Sequence, residues 1–225
     1  EQVKENLINF TFDIGVSDSF YIEKINIFGN NITREEVIRN NLIIDEGDAF
    51  NELLQAKTLN NIKALNFFSD VKLDVFDSLD NNKKTINITV IEKPTGEIMA
   101  GAGVGTNGGT VAFGVKENNF LGRGIEFASD LTFSEKGLKG IVSLNNPNFK
   151  GSNRSLNASL ESTTSDNLTD FGYKSNKTGF SIGSGFEFYD DLYWNRGISA
   201  YVEKLDTDST ASANMKKQDG SYFDT

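Results

Sequence analysis

The sequence predicts an α+β module of strand–helix–helix–strand–strand order followed by antiparallel transmembrane β-barrel strands, about seven of them forming part of a barrel. Three observations carry that fold class. Strand and helix signals mix up to Pro94 and then stop mixing. After Pro94 no helical period survives, and segments of about eight to eleven residues alternate apolar and polar side chains between turns. Only 37% of the 225 residues are A, V, I, L, M, F, W, Y or C, yet the chain carries 21 Gly, 18 Phe and just 2 Pro, which suits strands wetted on one face.

The same composition excludes whole classes of function. With 22 basic and 32 acidic residues the formal net charge is -10, which repels a phosphate backbone, so no nucleic acid partner is expected. Cys and His are both absent, which removes thiol catalysis, disulfides, imidazole bases and the usual zinc sites. No metal site and no cofactor are expected. No run of about 18 apolar residues exists, so no membrane helix is expected. The chain opens at Glu1 with neither Met nor a signal peptide, as a mature piece or a fragment would.

Taken in order, 7-LINFTFDI-14 alternates Leu7, Asn9, Thr11 against Ile8, Phe10, Phe12 and reads as the last strand of a preceding module. Next, 21-YIEKINIFGNN-31 is a strand with Ile22, Lys24 and Asn26 on one face and Tyr21, Ile25 and Ile27 largely on the other, ending at a Gly-Asn turn. A helix should follow at once. Thr33 is its N-cap candidate, Glu36 completes a capping box, and Ile32 can staple onto Val37. A second helix, roughly 50–66, puts Leu54, Thr58, Ile62 and Leu65 on one stripe with Leu59 beside it. Two strands close the unit: 68–76, with Val71, Leu73 and Val75 in phase, and 85–92, with Ile86, Ile88 and Val90 in phase.

The barrel strands begin near 96–106, where Ile98, Ala100, Ala102 and Val104 oppose Glu97, Met99, Gly101, Gly103 and Gly105. The second, near 110–118, sets Val111, Phe113 and Val115 against Ala112, Gly114 and Lys116. In the third, Ile125, Phe127, Leu131 and Phe133 oppose Glu126, Ala128, Asp130 and Thr132. Later come Leu156, Ala158, Leu160 against Asn157, Ser159, Glu161, then Phe180, Ile182, Phe186, Phe188 against Ser181, Gly183, Gly185, Glu187. In each of these strands the charges share one parity. A charge on the lipid face near the midplane costs about 2 to 4 kcal/mol, so a bilayer would impose this segregation and the apolar parity would meet outer-membrane lipid.

A soluble β-sandwich alternates too, but its two ends would carry similar turns. Here Phe120, Phe149, Tyr189, Tyr193 and Trp194 cluster at alternate turns, in 119-NFLGRG-124, 148-NFKGSN-153 and 189-YDDLYWN-195, as an interfacial girdle would. The other ends carry polar turns, 106-TNGG-109, 134-SEKG-137 and the longer 162-STTSDNLTDFGYKSN-176. Short periplasmic turns and longer outer loops fit that asymmetry.

One motif points elsewhere. Within 101-GAGVGTNGGT-110, Gly103, Gly105 and Gly108 spell G-x-G-x-x-G, the dinucleotide spacing. Its third glycine should open a helix, but 109-GTVAFGVKE-117 is strand, and no Lys follows to make a phosphate loop. The motif is glycine on every second residue of a strand. Gly101, Gly103 and Gly105 leave the inward face without side chains, so this strand should be the loosest of the sheet.

The element order over about 75 residues resembles a POTRA domain, the periplasmic module strung before certain outer-membrane barrels. In 62-IKALNFFSDVKLDV-75 the Leu-x-x-aromatic-aromatic exit leading to an Asp-Val strand is similar to that family's second-helix exit. Residues 20–93 alone fit a generic small α+β domain equally well. The run 92-EKPTGEIMAGAGVGTNGGTVAFGVKENNFLGRG-124 resembles the POTRA-to-barrel junction and first hairpin of the BamA family of outer-membrane protein assembly factors, and 145-NNPNFKGSN-153 fits the family's Asn-Pro-aromatic turn. The implied domains are 1–19, the end of a preceding POTRA domain; 20–93, the last POTRA domain; and 94–225, the N-terminal part of a barrel. The chain stops at Thr225, whereas the family has sixteen strands.

The resemblance implies insertion of other barrels into the outer membrane, not catalysis. Strand one, Glu97 to Val104, would template nascent outer-membrane β-barrel proteins through its backbone at a lateral gate, by β-augmentation at an unpaired edge. A second edge, Val71, Lys72, Leu73, Asp74, Val75 and Phe76, would take accessory assembly lipoproteins or passing clients. Rival readings are a related translocation and assembly module barrel, a two-partner secretion pore and, from a different class, an outer-membrane enzyme. The enzyme would need a carboxylate pair, either Asp190 with Asp191 or Glu126 with Asp130.

Overall fold

The computed structural model describes residues 19–78, 80, 82–105, 108–189 and 192–225. The strand read at 7–14 lies outside them. Two sheets make up the architecture. The first is three-stranded, in the order β1-β3-β2: β1 (Tyr21–Phe28) runs parallel to β3 (Lys83–Glu92), and β2 (Phe68–Asp77) runs antiparallel to β3 on its other side. Helices α1 (Glu35–Arg39) and α2 (Glu52–Ala64) lie between β1 and β2 in the chain. Ile22, Ile25, Ile38, Ile62, Ile86 and Ile88 are almost fully buried in one cluster, which also takes Val37, Val71 and Val90.

Helix α2 forms as its sequence directs. Asn51 caps it, its side-chain oxygen accepting from the Leu53 and Leu54 amides at 2.8 and 3.3 Å, and Thr58 and Ile62 head the buried stripe. Two local expectations fail. Strand β1 does not alternate cleanly, because the register slips between Ile22 and Lys24, and that bulge turns both Ile22 and Ile25 into the core. Helix α1 begins one residue later than expected, with Arg34 at the cap position and no side-chain cap. Thr33 cannot cap it, since its buried hydroxyl accepts from Asn119 Nδ2 at 2.8 Å, and Ile32 is 70% exposed and staples nothing.

The second sheet is an antiparallel meander of eight strands, one more than the sequence reading gave. They are β4 (Gly96–Gly105), β5 (Gly108–Phe120), β6 (Ile125–Ser134), β7 (Gly137–Asn146), β8 (Arg154–Asn167), β9 (Tyr173–Tyr189), β10 (Leu192–Thr207) and β11 (Gly220–Asp224). The stretch read as a long loop, 162–176, is mostly strand: β8 and β9 pair up to Asn167↔Tyr173, leaving the one-turn helix α3 (Leu168–Phe171) and Gly172 as the connection. Polar side chains hide a strand from a hydropathy reading, but cross-strand bonds such as Ser162 Oγ to Thr178 Oγ1 at 2.8 Å hold it. Pairing confirms the parities: Val111, Phe113, Phe133 and Leu131 share a face, and so do Ala158, Ile182 and Ile198. No helix is long and apolar enough to cross a membrane among the described residues.

Candidate functional site

Strand β4 ends the meander. Among the described residues it pairs with β5 alone, from Gly96↔Glu117 to Gly105↔Gly108, so within this span its other row of backbone hydrogen-bonding groups faces away from the sheet. All ten residues are exposed, Ile98 by 86% and Val104 by 94%. On its inward face Glu97↔Lys116 is followed by Met99↔Gly114, Gly101↔Ala112, Gly103↔Thr110 and Gly105↔Gly108, where at least one member of each pair is glycine. A Cβ added at Gly101, Gly103 or Gly105 would meet nothing within 4 Å. Side-chain pairs supply about 0.2 to 1 kcal/mol each to a sheet, and β4 forgoes most of them on that face. Its outward face keeps a little more, Ile98 against Val115 and Ala100 against Phe113.

Interior strands differ in kind. Strand β8 is paired along its length by β7 on one side and β9 on the other, and its inward Ser159 Oγ meets Ser181 Oγ at 2.8 Å. In the α+β domain, β2 is an edge strand, so Val71 to Phe76 do lie on a sheet margin, with Phe76 exposed.

The base of β4 is anchored to the α+β domain. Three residues separate β3 from β4, and the loop before α1 docks on the turn between β5 and β6. Arg34 N–H donates to the Gly122 carbonyl at 2.8 Å, and Asn119, 6% exposed, donates to Thr33 and accepts from the Gly124 amide at 2.8 Å. Gly122 has φ +68, and a Cβ there would collide with the Ile32 carbonyl, so only glycine allows this approach. From the other side Glu92 accepts the Asn31, Ile32 and Thr33 amides at 2.9, 2.9 and 2.6 Å. Partial burial pushes the Glu92 carboxyl up, but the bonds from Thr33, Ile32 and Asn31 outweigh it and hold its pKa below the usual 4.5. Sequence reading missed Asn119 and Glu92 altogether; only the side-chain chemistry of the turns, not any period, could have hinted at them.

Catalytic pairs find little support. Glu126 is tied to Lys116 at 3.2 Å, and Asp130 lies four positions further along the strand, about 13 Å of chain, beyond the reach of a paired acid and base. Asp190 and Asp191 lie outside the described residues. No group of three or more acidic residues could hold a metal ion among the described residues.

Comparison with known proteins fits this geometry. Residues 20–93 match the POTRA family, described as a surface antigen variable number repeat, and residues 119–225 match the Omp85 superfamily domain. The outer membrane protein assembly factor BamA of Buchnera aphidicola is 30% identical over 159 residues, 69% of this chain and 25% of that protein. BamA of Neorickettsia risticii is 24% identical over 215 residues, 95% of this chain and 29% of its own length. The chain thus spans under a third of the length of these relatives. The crystal structure of BamA from Haemophilus ducreyi lacking POTRA domains 1-3 superposes with a TM-score of 0.75 at 22% identity, over 84% of this chain and 36% of that one. The chain thus carries a POTRA domain at residues 20–93 followed by an Omp85 superfamily domain at residues 119–225, the arrangement of its outer-membrane BamA relatives.

Proposed function

We propose that this chain acts in the assembly of β-barrel proteins into the outer membrane, as its BamA relatives are named for doing, and that β4 is the strand on which a client strand pairs. What supports this reading is the outer row of β4 backbone groups, which no strand among the described residues takes, together with Gly101, Gly103 and Gly105, which leave the far half of its inward face without side chains. Such an edge recruits a strand through main-chain hydrogen bonds, which demand a partner's backbone and not its sequence, and so suit many clients. Glu97 to Val104 supply the pairing groups, and the lateral gate is the seam at that edge. The role is binding and templating, without bond chemistry. Outer-membrane lipids meet Val111, Phe113, Val115, Phe127, Leu131, Phe180, Ile182 and Phe186, and the β2 edge, Val71 to Phe76, takes clients or accessory lipoproteins.

The absence of Cys permits a test against a silent background. Single cysteines replace Ala100 or Ala102 in a full-length barrel bearing this sequence, and a partner cysteine is walked along the last strand of a stalled client. Pairing at about 4.8 Å predicts disulfides in one register, which moves by two client positions between the two sites. Cysteines at Leu156 or Ala158 in β8 should trap nothing. Capture there as strong as at β4, or capture without register, contradicts the reading. The domain division at Pro94 has its own check: residues 1–93 expressed alone should give dispersed amide resonances without detergent, and a collapsed spectrum would refute it.

A further inference from the structure

Outward charges on the eight-stranded sheet differ between its two ends. At the end away from the POTRA domain they come in pairs, Lys174 Nζ lying 3.3 Å from Asp166 and Lys204 Nζ 2.9 Å from Asp206. At the POTRA end Glu117 of β5 accepts from the Thr95 hydroxyl and the Asn119 amide, and Arg154, first residue of β8, and Arg196 in β10 make no ion pair among the described residues. Neither interrupts a parity that the sequence reading had covered. Both point outward, because Arg154 pairs with Phe186 and Arg196 lies two residues from Ile198 on the strand face that Ile182 shares.

Aromatic rings join the two. The Arg154 guanidinium lies 5.9 Å from the Phe186 ring and that of Arg196 lies 5.9 Å from Trp194. Phe186 and Trp194 stack at 6.1 Å with 29° between planes, and Phe188 meets Trp194 edge-on at 6.4 Å. The row crosses β8, β9 and β10, about 10 Å of sheet. An unpaired arginine is costly at the bilayer midplane and nearly free at the interface, where tryptophan also settles, so the row sits at headgroup depth. Guanidinium groups match phosphate oxygens with two parallel hydrogen bonds.

The geometry points to a lipid phosphate site: Arg154 and Arg196 bind the phosphates of anionic phospholipids in the periplasmic leaflet, with Phe186 and Trp194 packed where headgroups give way to chains. This rests on the outward face being the lipid face. It goes further by giving that face a headgroup preference at one end.

Trp194 is the one tryptophan of the sequence and reports on its own surroundings. The full-length barrel, keeping Trp194 as its single tryptophan, is placed in phosphatidylcholine vesicles into which brominated phosphatidylglycerol or brominated phosphatidylcholine is titrated. Brominated phosphatidylglycerol should quench Trp194 with a relative binding constant raised about fivefold per arginine, and the double variant R154Q/R196Q should bring it to about one. Both arginines are exposed, and unchanged quenching of the variant by brominated phosphatidylcholine certifies that it has inserted. Equal quenching by the two lipids in the parent, or selectivity that survives the double substitution, overturns the site while leaving the lipid face intact. Loss of selectivity on adding inorganic phosphate at constant ionic strength overturns it in favour of a free-anion site. No quenching by either lipid refutes the lipid face itself, and the site with it.

Discussion

The POTRA domain hides its apolar side chains from solvent in a cluster of twelve buried residues, whereas the eight-stranded sheet buries only Leu205 and Ala211 among its described apolar residues. Yet the sheet is no less apolar along its outward parity, where Phe113, Leu131, Phe180 and Ile182 stand exposed. On the proposed reading the two regions answer to different solvents: one closes on itself as a domain in water does, and the other keeps its apolar side chains on one exposed face, as lipid would favour, while the opposite face carries Ser, Asn, Gly and charge. A second contrast sits inside the sheet, between strands held on both sides and β4, held on one.

Three predictions sharpen the comparison of the two regions. The largest effect belongs to Ile86→Asp, at a site with no exposure in the POTRA core: a carboxylate buried without a partner should cost about 4 kcal/mol or more and abolish the cooperative melt of that domain. An unchanged melt would mean that the cluster is no core. Next, Ile182→Asp, between Ala158 and Ile198, should weaken folding into liposomes by about 2 kcal/mol or more, while Ser181→Asp, between Ser159 and Ser199, should be tolerated in a wet lumen. Equal costs from the two neighbours would break the claim that the regions face different solvents.

The third and smallest concerns the joint between the regions. Glu92→Gln leaves the three amides of Asn31, Ile32 and Thr33 a weaker acceptor, a loss of about 1 to 2 kcal/mol at neutral pH. The folded carboxyl has its pKa depressed, so its contribution is present above the unfolded value of 4.5 and is lost as pH falls through the lower folded value. Melting curves of parent and variant should therefore differ by a constant gap at pH values well above 4.5 and converge as the pH falls through the lower folded value. A gap that widens on acidification would contradict the clasp.

Periodicity made most of this legible. Val71, Leu73, Val75 and Ile86, Ile88, Val90 declared their strands, and the parity of Val111, Phe113 and Val115 declared one apolar face of the sheet. What failed to show depended on partners distant in sequence. Thr33 has every mark of an N-cap, but Asn119, 86 positions away, takes its hydroxyl. The bulge in β1 arises from pairing with β3, and no local pattern records it. Beyond residue 161 the strands run on in Ser, Thr, Asp and Asn, so hydropathy saw a loop where hydrogen bonds make a hairpin. Glycine at alternate positions was visible in the sequence as a bare strand face; that this strand is also the margin of the sheet came only from the topology.

The central proposal is that β4 takes a client strand along its outer row of backbone groups, and amide hydrogen exchange reads that directly. In the full-length barrel in a bilayer, a weakly held seam at β4 predicts that amides from Glu97 to Val104 exchange faster than those from Leu156 to Leu160 by about tenfold or more, because β8 is held on both sides by β7 and β9. Engagement of a stalled client should then slow exchange in β4 and leave β8 as it was. Protection of β4 equal to that of β8 before any client arrives, or exchange in β4 unmoved once the client is bound, would contradict the account.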